Sequence, residues 1–186
     1  MAKAYSEGKE FVNFTELEPG DYENCQFLNC SFLSANLSHL NFINCVFKGC
    51  DLSLAKVSNS VLNEVYFTDC KVTGVQFGEC NEFLFTVFFK NCNLSLSSFY
   101  NRKLKGCKLE SSNLKEVDFT NSNCSALVFS QCDLSGAIFE NTNLENADFR
   151  SAENYSINPE INKLKKARFT LAGLPGLLEK YQIKIG

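Results

Sequence analysis

Histidine occurs once in this 186-residue chain, at His39, and that scarcity narrows the chemistry open to it. There is no glycine-rich phosphate loop, no nucleophile elbow and no pair of acids in an expected pocket. Acid–base, phosphoryl-transfer and acyl-transfer catalysis therefore have no residues to start from, and the chain reads as a non-enzyme that needs no cofactor. No stretch approaches the ~18 apolar residues of a membrane-spanning helix. The first residues, MAKAYSEGKEF, lack the apolar centre of a secretory signal, so the expected address is the cytoplasm.

What the sequence has in plenty is phenylalanine and leucine at a fixed interval. A large apolar residue returns at every fifth position from Phe27 to Phe77 and, after a skip to Leu84, from Phe89 to Phe149, with Cys124 alone in place of one. A small residue usually stands two places earlier. A period of five fits neither the 3.6 of a helix nor the 2.0 of a strand, and marks a repeat whose units bury their apolar side only by stacking. Grouping every fourth unit gives columns of like residues. One runs Phe27, Phe47, Phe67, Phe89, Leu109, Phe129 and Phe149, with Phe169 a further stride on. A second runs Leu37, Val57, Phe77, Phe99, Phe119 and Phe139, and a third, from Phe32 to Leu134, is mostly aliphatic. Like stacks on like at a stride of twenty, which predicts a four-sided solenoid of about eight coils, ~38 Å long at ~4.8 Å per layer. The columns stay in phase across the skip only if two residues bulge near 78–83. Asn121 falls on an outward corner, where substitution should cost well under ~1 kcal/mol.

Ten cysteines in a secreted protein would suggest disulfides, but here nearly all of them sit in the small inward slot, among them Cys30, Cys50, Cys70, Cys92 and Cys132 in one column. Buried free cysteine behaves as a small hydrophobe, and free thiols are the expectation. Spacings of five and twenty match no metal-ligand pattern, and His39 is on an outward position, so no metal site is expected. Arg102 and Glu82 also fall in inward slots, which predicts a distorted coil beside the bulge.

Runs such as Ala137-Ile-Phe-Glu-Asn, Thr142-Asn-Leu-Glu-Asn and Ala147-Asp-Phe-Arg-Ser resemble the A(D/N)LXX signature of pentapeptide-repeat proteins. The resemblance spans roughly residues 20–152 and implies an all-β, right-handed quadrilateral β-helix. The closing segment, Leu-Leu-Glu-Lys-Tyr-Gln-Ile-Lys-Ile-Gly, and the overall length resemble the Qnr-type, MfpA-type and microcin-immunity branch. Those proteins are rods that dimerise through their C-terminal ends and act on DNA gyrase. The resemblance implies a DNA mimic that modulates gyrase or another topoisomerase and protects against quinolones or a peptide toxin. The Qnr-type proteins carry longer loops than the two-residue bulge here. A general protein-interaction scaffold is the other reading.

The ends depart from the repeat. Residues 1–16 are expected to cap the first coil, residues 17–169 to form the β-helix, and residues 170–186 to form a short capping helix followed by an edge strand at Ile183–Ile185. The apolar residues Leu174, Leu177, Leu178, Tyr181 and Ile183 make that helix a candidate homodimer interface. Charge is uneven: nine acids against two bases lie between Glu110 and Glu160, while Arg102, Lys103, Lys105 and Lys108 form a basic run read as a solvated face. A thin acidic rod suits a DNA-binding protein partner rather than nucleic acid itself. Glu140, Glu145 and Asp148, near the C-terminal end, are the candidate partner contacts.

Overall fold

Large side chains at every fifth position leave the backbone one stable arrangement, a coil of four short sides with the apolar residues pointing inward. The structure is a computed structural model describing residues 4–184, and it is a parallel β-solenoid of this kind. One sheet stacks β1 (Ala4–Glu7), β3 (Gly20–Glu23), β5 (Asn41–Ile43) and β7 (Val61–Asn63). The other stacks β2 (Glu10–Val12), β4 (Gln26–Leu28), β6 (Val46–Lys48), β8 (Val65–Thr68), β9 (Val87–Lys90), β10 (Lys108–Glu110) and β11 (Phe129–Ser130). Elsewhere single-residue bridges carry the ladder, as in Ser31, Asp51, Lys71, Asn93, Asn113, Asp133 and Glu153.

The register defines four faces. The first is centred on Phe27, Phe47, Phe67, Phe89, Leu109, Phe129 and Phe149, the second on the Phe32 column and the third on the Leu37 column. The fourth is centred on Tyr22, Phe42, Leu62, Leu104 and Leu144. The rings of a column lie parallel, 4.4 Å apart between Phe27 and Phe47 and 4.9 Å between Phe77 and Phe99. Rings of neighbouring columns meet edge to face, as Phe129 and Phe139 do at 5.9 Å. Both arrangements suit the ring quadrupole, and they fill the interior with phenylalanine. All ten cysteines are buried.

Two local devices turn each corner. The second residue after the central one adopts a left-handed conformation, with φ of 53° at Asn24, 52° at Asn29 and 58° at Asn121. Among the described residues, eleven of the 24 non-glycine residues at positive φ are asparagine, the side chain that tolerates this region best. In addition, an Asn or Asp just before the central residue accepts the backbone N–H just after it. Asp51 does so from Ser53 at 2.9 Å, Asp118 from Thr120 at 2.8 Å and Asn143 from Glu145 at 3.1 Å.

The irregular coils differ in detail from the sequence expectation. Residues 4–14 are already laid in register on the coil above, with Tyr5 opposite Asp21 and Phe11 opposite Phe27, and sixteen residues separate those partners. The coil from Phe67 to Phe89 takes twenty-two residues. About six turns keep the stride of twenty, against the eight expected, because the first coil takes sixteen residues and the coil from Phe67 to Phe89 twenty-two. The extra two residues lie between Asn81, whose N–H donates to Ser60, and Thr86, whose N–H donates to Leu62. Leu84, expected in the core, is 67% exposed, and Phe85 turns inward instead.

Arg102 explains why this coil holds. It occupies an inward slot, 4% exposed, and its guanidinium donates to the carbonyls of Phe77, Gly78, Cys80 and Asn81, with the Phe85 ring 5.3 Å away. Burial lowers its pKa, yet the carbonyl cage gives the planar fork partners where no carboxylate is in contact. Glu82 instead faces solvent. At the C-terminal end the expected helix is a 3-10 segment, Leu171–Leu177, followed by a 3-10 turn at Glu179–Tyr181. It lies against Tyr155 through Gly173 and Gly176, where a Cβ would fall 1.9 Å and 2.2 Å from Tyr155 atoms. Ile183 and Lys184 form no strand, and Ile185 lies outside the described residues.

Candidate functional site

A core filled by its own rings has no room for a substrate, so function belongs to the outer faces and the ends. Among the described residues no group of acids, cysteines and histidine is placed to hold a metal ion, and no helix is long and apolar enough to cross a membrane. What the folding of the repeat does is sort charge around the rod. Counted along the sequence, acids and bases alternate in blocks; in the C-terminal half of the rod most of the acids fall on two adjoining faces and most of the lysines on the other two.

The second and third faces form an acidic side. In the C-terminal half they carry Glu116, Asp118, Asp133, Glu140 and Glu153, with Glu160 following in the last coil. Asp133 and Glu153 are direct neighbours in one column. Burial works to raise the Asp133 carboxyl, but hydrogen bonds from Asn154 at 2.9 Å and Ser135 at 2.6 Å, with Lys115 3.4 Å away, override it and hold it at about 2. Asp118 accepts from Ser98 at 3.3 Å. Glu160 is tied to Lys180 and accepts from Tyr181 at 2.7 Å. Glu116, Glu140 and Glu153 are exposed and make no ion pair among the described residues.

The three acids proposed from sequence do not share this side. Glu140 is on the third face, Glu145 on the fourth and Asp148 on the first. Asp148 is moreover neutralised by Arg150 at 2.7 Å and Arg168 at 3.8 Å. The Arg150 hydrogen bond is the main reason its carboxyl sits below the usual range. The acids that do gather, Glu116, Asp118, Asp133 and Glu153, were visible in the sequence only by sorting positions by twenty, as the spacing of Asp133 and Glu153 shows.

In the same C-terminal half the first and fourth faces form the more basic side, although Glu110, Glu145 and Asp148 also lie there. Lys103, Lys105 and Lys108 stand at mid-rod and Lys163, Lys165 and Lys166 at the C-terminal end, all exposed and free of ion pairs among the described residues. Beside the mid-rod lysines the loop tip presents Phe83 and Leu84, 81% and 67% exposed. The end surface splits the five apolar residues proposed for a dimer. Leu177 packs on the core and Leu178 is half-buried, whereas Leu174, Tyr181 and Ile183 are exposed beside Leu171.

Residues 21–82 match the family described as "Pentapeptide repeat region", and residues 97–136 and 128–153 match "Pentapeptide repeats (8 copies)". No curated protein matches the sequence. Among solved structures, trypsin-treated QnrB1, a plasmid-mediated fluoroquinolone resistance protein, is 21% identical, with all of both chains covered and a TM-score of 0.64. Full-length QnrB1 is 20% identical over 97% of this chain and 100% of its own, at a TM-score of 0.58. HetL, described as involved in heterocyst differentiation regulation in the cyanobacterium Nostoc, is 16% identical over 92% of this chain and 86% of its own, at 0.68. At these identities the likeness is one of fold.

Proposed function

This chain belongs to the pentapeptide-repeat family, and on that premise we propose that it is a non-enzymatic interaction protein whose acidic side engages DNA gyrase or a related topoisomerase as a mimic of duplex DNA. The observation that carries the reading is the gathering of Glu116, Asp118, Asp133, Glu140 and Glu153 on two adjoining faces of a narrow rod. Such a surface sets up a negative potential along the C-terminal half of the rod, which is what a DNA-binding channel attracts. The fold shared with QnrB1, a fluoroquinolone resistance protein, supports the same direction, and the proposal includes protection against quinolones or a peptide toxin.

A supercoiling assay with purified gyrase, with and without ciprofloxacin, tests this. The wild-type chain is expected to inhibit supercoiling or to relieve the drug. Changing Glu116, Glu140 and Glu153 together to Lys is expected to abolish the effect while leaving Tm nearly unchanged, because unpaired exposed charges contribute little to stability. Full activity of that triple variant, or an inert wild type, overturns the mimic. The remaining reading is then a scaffold for an unrelated protein.

The active form in this proposal is a dimer joined through the exposed apolar residues of the C-terminal end. Leu174, Tyr181 and Ile183, 40%, 50% and 56% exposed beside the 88% exposed Leu171, supply the contact. Replacing Leu174 and Ile183 by Glu should convert a dimer to a monomer in light scattering; an unchanged mass places the contact elsewhere.

A further inference from the structure

The basic side has no role in the reading above, and its composition has a chemistry of its own. Lys103 and Lys163 occupy one column of the fourth face, linked through Asn123 and Asn143. Three strides of ~4.8 Å set them about 14 Å apart, the rise of about four base pairs of duplex. Lys105 and Lys165 stand two residues on from each, at equivalent outward positions, with Ser125 and Glu145 in the row between them. Between the two clusters, Asn123 accepts the Ser125 N–H and Asn143 the Glu145 N–H through their side-chain oxygens. Each asparagine thus spends its acceptor on the corner and leaves its amide N–H groups for an outside acceptor. The arginines around the next corner, Arg150 and Arg168, share the carboxylate of Asp148.

We propose that this side binds the phosphodiester backbone of double-stranded DNA, without reading sequence. Two lysine clusters on a rigid, straight column with amide donors between them fit a row of regularly spaced phosphates. A lipid surface fits less well, because the exposed Phe83 and Leu84 lie only at the mid-rod cluster, whereas between the clusters the fourth face offers the amides of Asn123 and Asn143, the carboxylate of Glu145 and no exposed large apolar side chain for insertion. The segregation of charge also keeps the acidic side turned away from the bound polyanion. The inference stands apart from the gyrase proposal, and the two call on opposite faces.

Fluorescence anisotropy of a labelled 20-base-pair duplex, titrated with the intact protein, tests it. Binding is expected with a Kd of roughly 1–100 μM at ~50 mM salt, weakening about 100-fold at ~200 mM if about four phosphates are engaged. Lys103→Glu with Lys105→Glu, and separately Lys163→Glu with Lys165→Glu, should each weaken binding at least tenfold and flatten the salt slope by about two. The variant with Glu116, Glu140 and Glu153 changed to Lys should bind DNA at least as well as wild type, which separates this result from the supercoiling assay. No anisotropy change at ~100 μM protein in ~50 mM salt overturns the proposal. So does wild-type binding by both lysine variants. Stronger association with phosphatidylserine vesicles than with the duplex would likewise overturn it, in favour of a membrane surface.

Discussion

Each residue in a five-residue unit has one job, and the jobs differ in what they tolerate. Phe119 is sandwiched between Phe99 at 5.5 Å and Phe139 at 5.1 Å and meets Phe129 edge-on at 5.7 Å. Phe119→Ala should cost about 3–5 kcal/mol in a denaturant titration. Asn121, exposed two residues later, is not the indifferent position its outward placement suggested. With φ at 58°, Asn121→Val should cost about 1–3 kcal/mol, whereas Asn121→Gly should be nearly neutral. Equal losses for Val and Gly would show that the corner conformation is unimportant. The cysteines set a pH limit. Burial pushes the thiols of Cys45, Cys80 and Cys124 up to about 12, and those of Cys107 and Cys132 up to about 11. Unfolded thiols release their protons near pH 9 and the folded ones do not, so the unfolded state binds fewer protons above that pH and stability falls as pH rises. Each such thiol steepens the loss by about 1.4 kcal/mol per pH unit between pH ~9 and its folded value. Urea midpoints measured from pH 8 to 11 should drop sharply, and less sharply for Cys124→Ala. The columns were legible because a side chain that must point inward at every fifth place leaves a period. The corners were not, since an exposed asparagine looks the same in the sequence whether or not its backbone is left-handed.

At the scale of the element, the coil from Phe67 to Phe89 shows how a repeat absorbs an irregularity. The insertion was legible as a phase slip of two residues, but its location was not. Any of several residues could have left the column, and the choice of Phe85 over Leu84 depends on Arg102. That arginine looked like an error in an inward slot. It is a clasp: its fork gathers the carbonyls of Phe77, Gly78, Cys80 and Asn81, of which only that of Phe77 also accepts a backbone N–H, from Cys80. Arg102→Met keeps the bulk and removes the donors, leaving buried carbonyls unsatisfied. It should cost about 3 kcal/mol and expose the 81–86 loop to protease. An Arg102→Lys variant should recover only part of this, because an ammonium cannot serve four acceptors spread in a plane. Wild-type stability in Arg102→Met would mean that water replaces the guanidinium freely. The C-terminal 3-10 segment was legible as a cap, but its seating was not, because Gly173 and Gly176 matter only for their closeness to Tyr155.

For the whole molecule, the charges taught more by face than by order. Read along the chain, the stretch from Glu110 to Glu160 is acidic and the run from Arg102 to Lys108 basic. Folded, most of those acids gather on one side while Glu110, Glu145 and Asp148 fall on the other, Asp148 as partner of two arginines. The candidate site was therefore only partly legible, since Glu140 alone of the three chosen acids lies on the acidic side. Parallel register has a mechanical consequence for such a rod. Because one side of the coil consumes five residues, the sequence behaves as a shaft cut in quarter turns. Inserting a whole coil between Leu109 and Phe129 would lengthen the shaft by ~4.8 Å and leave every face aligned. Inserting a single five-residue unit would instead rotate everything downstream by about 90°. Acid and base at one end would then no longer line up with those at the other, and the two sides of the rod would be lost without the change of a single charge.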